Sequence, residues 1–275
     1  MSRRLAFITG GGGAIAGEIA LRLQARGYDL ILADLGAERM AANAQRLERP
    51  PARLLEADLS ATAGIERLAR TIAEDHPDLD LLVNNAGYVE PGDVAELDPE
   101  VLDRHVMINL LAPMRLAQAA ATGMRRRGRG DILSIVSMGG IIALRGSAAY
   151  AATKFGLRGF QTSIQAELHP SGVRVMGVFP SGVDTPMLHK EAVHPGGSPL
   201  NFVGRVLTPA EVANACMKAL DTGKLETYAP YDDSVLARFF GAFPGLLRRV
   251  EPFVARIGER GRERFIRERG LRPHA

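Results

Sequence analysis

Cysteine is almost missing: Cys216 is the only one in 275 residues. That excludes an intramolecular disulfide and argues against a cysteine-based zinc centre, so no metal site is expected. In the helical context ANACMKAL, Cys216 reads as a small buried hydrophobe and not as a nucleophile. Long apolar runs are missing too. After the paired arginines of MSRRLAFITGGGG the apolar stretch covers only Leu5 to Ile8, too short for the apolar region of an export signal. The uncharged stretch 132–144 has thirteen residues and two glycines, too short and too broken to span a bilayer. A cytoplasmic protein is the expectation. Strong net charge is absent as well. The formal value is +3, and residues 247–275 hold nine arginines against four glutamates, which leaves 25 basic and 27 acidic residues elsewhere. Outside that tail no basic face exists of the kind nucleic acid requires. With 46% hydrophobic and 24% charged residues, the chain suits one large α/β unit with a full core.

Lysine is the scarcest of the common charges. Lys154, Lys190, Lys218 and Lys224 are four of 34 basic residues, leaving thirty arginines. One of the four stands four places after Tyr150, in SMGGIIALRGSAAYAATK (137–154). Random placement gives a Tyr-x-x-x-Lys pair somewhere in such a chain with a chance of about 0.07. After Gly146 the alanines favour helix, and positions i and i+4 share one face. The ammonium is then expected to favour the phenolate and lower the Tyr150 pKa from about 10. A phenol so placed can exchange a proton with a carbonyl or alcohol oxygen.

Taken in order, the chain alternates short apolar runs with helical periods. Residues 4–9 (RLAFIT) read as a strand, followed by the glycine-rich turn Thr9 to Gly17 and a helix over 18–26. Free N–H groups at such a helix start can hold a pyrophosphate. A second strand, 29–33, ends at Asp34, placed to accept hydrogen bonds from a ribose and to repel a 2′-phosphate. Arg39 nearby could instead bind a phosphate. Strands over 53–57 and 79–83 end at Asp58-Leu59 and at Asn84-Asn85-Ala86-Gly87, with a helix over 61–75 between them. A long helical stretch, 99–127, is interrupted by Pro113 and contains the polar Asn109. Strands over 131–136 and 173–179 and a last one over 225–229 complete the set; Pro180-Ser181-Gly182-Val183-Asp184-Thr185 follows the sixth. The order β-α-β-α-β predicts a parallel sheet covered on both faces, with its ligands at the strands' carboxyl ends. The small residues Ala148, Ala152, Gly156 and Gly159 recur at helical spacing and would admit a close helix neighbour.

Together TGGGGAIAG, Asp58, NNAG, Asn109, Ser137, YAATK and PSGVDT resemble the short-chain dehydrogenase/reductase family in its common single-domain form, over about residues 4–230. The resemblance implies a doubly wound Rossmann fold with a mainly parallel seven-stranded sheet, here carrying a C-terminal helical extension (residues 231–275) after the 1–230 unit. It implies hydride transfer between a nicotinamide and an alcohol–ketone pair. Tyr150 would be the acid/base, Lys154 would lower its pKa and hold the nicotinamide ribose, Ser137 would bind the substrate oxygen, and Asn109 would support a proton relay. The cofactor would contact Gly10, Gly13, Ala14, Ile15, Asp34, Asp58, Leu59, Asn85, Ala86, Gly87, Tyr150, Lys154, Pro180, Val183 and Thr185. NAD is favoured over NADP through Asp34. The family pattern TGxxxGxG has glycine where Ala14 and Ala16 stand here, which bears on cofactor affinity. A homodimer or homotetramer is expected.

Residues 186–206 occupy the position of a substrate lid, with His189 and His194 read as surface groups. The tail holds five of the ten phenylalanines, Phe239, Phe240, Phe243, Phe253 and Phe265, interleaved with arginine. Its first reading is packing within the protein or its oligomer; its others are the wall of a lipophilic pocket or peripheral contact with a membrane. With Met187, Leu188, Leu200 and Phe202 in the lid, it suggests a bulky hydrophobic alcohol or ketone as substrate. The alternative function is a nicotinamide-nucleotide-binding sensor or scaffold with little activity.

Overall fold

Apolar residues run unbroken through the strands because both faces of the sheet are covered, so alternate side chains enter different cores. The computed structural model describes residues 3–272. Its strands are β1 (Arg4–Thr9), β2 (Tyr28–Asp34), β3 (Arg53–Glu56), β4 (Leu81–Asn84), β5 (Gly130–Ile135), β6 (Val173–Pro180) and β7 (Glu226–Ala229). They form one sheet in the order β3-β2-β1-β4-β5-β6-β7, with every neighbouring pair parallel.

Ten α-helices complete the described residues: α1 (Ala14–Ala25), α2 (Ala37–Gln45), α3 (Thr62–Arg70), α4 (Pro99–Val106), α5 (Ala112–Arg127), α6 (Ala148–Leu168), α7 (Pro186–Val193), α8 (Pro209–Thr222), α9 (Tyr231–Ala242) and α10 (Pro244–Arg269). Ala6 and Ile8 face one core with Ile19 and Leu23 of α1, Met40 of α2 and Val212 of α8. Phe7, between them, faces the other with Ile65 of α3, Leu116 of α5 and Leu168 of α6. Cys216 is fully buried in the first core, where burial pushes its thiol up to about 12 and leaves it inert. Every strand stands where its apolar run predicts, and the C-terminal extension is helical.

Two local features differ from the sequence reading. The stretch 99–127 is not broken at Pro113. It widens instead into a π turn at Met107–Leu111, where the Ala112 N–H donates to Met107 O, and Pro113 sits in the first turn of α5. Proline tolerates that position, and its missing N–H cannot bond the carbonyl of Asn109, four residues earlier. The small residues of α6 are also split: Gly156 packs on Leu110, whereas Gly159 faces open space.

Candidate active site

The carboxyl ends of β1 and β4 lie beside the point where strand order reverses, and such a crevice is where open α/β sheets bind ligands. From β1 the chain enters the glycine turn, with Gly10 at φ 66°, and then α1. Gly13 caps that helix without a side-chain hydrogen bond, and no acidic residue stands in its first turn. The first helical bond is Gly17 N–H to Gly13 O, so the N–H groups of Ala14, Ile15 and Ala16 precede the helix ladder. These donors and the helix dipole suit a pyrophosphate. Thr9 ties the turn to β4: its hydroxyl accepts from Asn85 N and Ala86 N at 3.1 Å each, and Asn85 Nδ2 returns a bond to Thr9 O. Asp34 closes the other side, accepting from Gly12 N at 2.8 Å and Gly36 N at 3.2 Å, with Arg39 3.5 Å away. Asp58 accepts from the Ser60 N–H and hydroxyl, which hold its carboxyl below the usual range. Leu59, Gly87 and Pro180 stand at or just past the ends of strands on the same rim, as do Val183 and Thr185. Val183 bridges to Leu207, and Thr185 Oγ1 donates to Val183 O. The residues present therefore fit a dinucleotide, on the free amides of α1 and the acceptor at Asp34.

Beside this crevice β5 delivers Ser137 and α6 delivers Tyr150 and Lys154. Ser137 has φ 148° and ψ 157°, a region almost reserved for glycine, so its backbone is strained where it turns out of the sheet. Its hydroxyl accepts from Gly139 N at 3.0 Å and interacts with the Tyr150 phenol. A Cβ at Gly139 would lie a tight 3.1 Å from the Tyr150 ring. Lys154 Nζ is 5.6 Å from the centre of that ring, on the same side of α6, and donates to Ile135 O at 2.9 Å.

The electrostatics differ from expectation. Burial pushes the Tyr150 phenol up to about 12, with Ser137 pulling it down and the Glu191 carboxylate adding to the rise. Burial likewise pushes Lys154 down to about 8. Without a dinucleotide in place, desolvation of both groups outweighs the expected lowering of Tyr150 by Lys154. Asn109 is buried in the π turn, and its side chain is fully engaged: Oδ1 accepts from Tyr88 N and Nδ2 donates to Tyr88 O, both at 2.8 Å. It pins the chain after Asn84–Gly87.

The lid is more ordered than its composition suggests. It contains α7 and a 3-10 turn at Pro199–Phe202, and it lies against the site: Met187 faces Gly87, and Lys190 pairs with Glu90. Leu188 and Phe202 are buried with Phe265 of α10. His189 is partly exposed; it bonds Asp184 at 2.6 Å and its ring lies tilted beside Phe265, while Arg269 holds the other oxygen of Asp184. Sequence reasoning missed Glu191, a buried carboxyl in the lid whose partner is Asn201 and whose own burial pushes it up to about 7. Nothing in the local pattern PMLHKEAV sets it apart from the exposed Lys190 before it.

A family model described as short chain dehydrogenase matches residues 4–195. The chain belongs to the short-chain dehydrogenase/reductase family. It is therefore an oxidoreductase of a family that binds NAD(P). Among curated relatives, the D-threitol dehydrogenase of Mycolicibacterium smegmatis is 31% identical over 219 residues, covering 78% of this chain and 84% of that one. Among solved structures, the bulky-bulky ketone specific alcohol dehydrogenase of Comamonas testosteroni superposes with a TM-score of 0.75 at 27% identity, covering 90% of this chain and 95% of that one. A short-chain dehydrogenase of Sphingobium yanoikuyae in complex with NADPH superposes with a TM-score of 0.77 at 28% identity, covering 89% and 95%.

Proposed function

We propose that this short-chain dehydrogenase/reductase interconverts a secondary alcohol and a ketone, with Tyr150 as the acid/base. The observation that carries this reading is Ser137 and Tyr150 converging beside Gly139, with Lys154 one turn away, next to a helix N-terminus fit for a pyrophosphate. A bound nicotinamide supplies or accepts the hydride. Ser137 holds the substrate oxygen by a hydrogen bond that strengthens as negative charge develops there. In reduction Tyr150 donates its phenolic proton to that oxygen; in oxidation it takes the proton back. Burial keeps the Tyr150 phenol protonated, the form that donates to a carbonyl oxygen. Lys154, buried between Tyr150 and Ile135 O, is placed to hold a ribose hydroxyl and to replace the proton. Asn109 acts as a positioning residue for the wall that follows Asn85–Gly87.

Asp34 supports NAD as the cofactor. Its carboxylate is already fixed by Gly12 and Gly36 and would repel a 2′-phosphate, although Arg39 beside it could offset part of that repulsion.

Two substrate classes have support. The Comamonas neighbour and Met187 at the mouth of the site favour a bulky ketone. The D-threitol dehydrogenase relative, with the buried Glu191–Asn201 pair on the lid, favours a substrate with a second hydroxyl. NADH absorbance measured against a panel of aryl ketones and polyols separates them. In the same assay Tyr150→Phe should lower kcat by about 10²–10⁴-fold while cofactor titration is unchanged. A Tyr150→Phe enzyme with wild-type turnover sinks the assignment, and a chain that binds NAD but turns over neither class is the sensor or scaffold instead.

A further inference from the structure

Fourteen large hydrophobic side chains stand exposed among the described residues, and eight of them fall between Tyr231 and Ile257. A monomer rarely concentrates exposed apolar surface in this way without a use for it. Six carry the argument: Leu236, Phe239 and Phe243 on and just after α9, and Leu246, Phe253 and Ile257 on α10. Each is between 38% and 67% exposed. Their spacings, i, i+3, i+7 and i, i+7, i+11, set one stripe along each helix. The Phe239 ring stacks within 5.4 Å of Phe243, so the stripe is continuous across the junction.

This face is held in place by the opposite sides of the same helices. On α9, Ala237 is buried with Phe179 and Ile141, and Gly241 lies against Ile141 O. On α10, the backbone at Gly258 and Gly261 lies against Pro199 O and Phe202 O, and Phe265 is buried under the lid. The exposed stripe is therefore the outer face of a docked helix pair, not a frayed end.

Charge decides what fits it. Residues 231–257 contain Arg238, Arg248, Arg249 and Arg256 against Asp232, Asp233 and Glu251, and the excess lies on α10, where residues 244–257 hold Arg248, Arg249 and Arg256 against Glu251 alone, a net +2. Arg248, Arg249 and Arg256 are exposed and form no ion pair among the described residues. A two-fold contact with a second copy would place this cationic patch against itself, a costly juxtaposition. An anionic lipid surface meets both properties, burying the phenylalanines at the headgroup boundary and pairing the arginines with lipid phosphates. No helix among the described residues is long and apolar enough to cross a membrane, so the contact is one of a helix pair lying on the surface.

We propose that the outer face of α9 and of the first half of α10 docks the protein on anionic lipid bilayers. The full chain is floated with vesicles of phosphatidylcholine alone or mixed with phosphatidylglycerol, at low and at high salt. Binding is expected to the mixed vesicles only and to weaken with salt. Arg248→Gln with Arg249→Gln should weaken it about thirtyfold. Phe239→Ser with Phe243→Ser should abolish it; because both rings are exposed, far-ultraviolet circular dichroism and NAD(H) binding report that the variant remains folded. Failure to bind mixed vesicles overturns the proposal, as does binding that ignores both double variants. If the phenylalanine variant instead dissociates an oligomer in sedimentation velocity while the wild type ignores vesicles, the face belongs to a second copy and the lipid assignment is wrong.

Discussion

Three ionisable groups near the crevice are moved by burial, each in the direction that removes charge. Glu191 gives the cleanest test. Its folded pKa is raised from 4.5 to about 7, so the folded chain prefers the protonated carboxyl. That preference is fully present below the unfolded value and is lost as pH rises through the folded one. Glu191→Gln should therefore flatten the fall in Tm between about pH 4.5 and 7 and raise Tm relative to wild type at about pH 8. Identical pH profiles for the two proteins would show that the carboxyl is not desolvated. Asp34 sets a second test at this scale. Asp34→Asn removes the charge that repels a 2′-phosphate and leaves Arg39 unpaired, so the ratio of kcat/KM for NADP to that for NAD should rise about tenfold or more. An unchanged ratio would mean that the two nucleotides are told apart elsewhere.

Among the elements, α10 has an unusual task. Its last turns carry Phe265 into the lid core, and Arg269 holds the Asp184 carboxylate, just past β6. Asp184 is held below the ordinary carboxylate range by Arg269 and His189, although its partial burial acts the other way. Phe265→Ala should cost about 3–5 kcal/mol if α10 stays docked. If it undocks instead, amide hydrogen exchange across residues 186–206 should accelerate while β1 and β4 remain protected. The exposed Arg269–Asp184 pair contributes less, and Arg269→Ala should shift Tm by no more than about a few degrees. The π turn is the other element with a visible cause. Pro113 cannot donate to the Asn109 carbonyl, and the wider turn aims the Asn109 amide at Tyr88.

Across the whole molecule, the nucleotide crevice and the lid rest on different supports. The crevice is built by β1, β2 and β4 at the centre of one parallel sheet, whereas the lid is sandwiched between that sheet's rim and α10. A chain ending at residue 243 should thus keep nucleotide binding, read by NADH fluorescence, and raise KM for the carbonyl substrate. Loss of nucleotide binding in that truncation would show that the two supports are one.

Local pattern alone carried the seven strands, the glycine turn, Asp34 and the Tyr150–Lys154 spacing, because a buried parallel strand and a phosphate-binding turn each need particular residues at fixed short intervals. The same pattern could not show that Leu188 and Phe202 would be consumed by Phe265, since those partners lie 60 or more residues apart in the chain. Nor could spacing give the protonation of the Tyr150–Lys154 pair. An ammonium one turn away argues for an acidic phenol, but how far each group is desolvated is set by what folds over it, and that is decided only when the lid and the sheet rim meet.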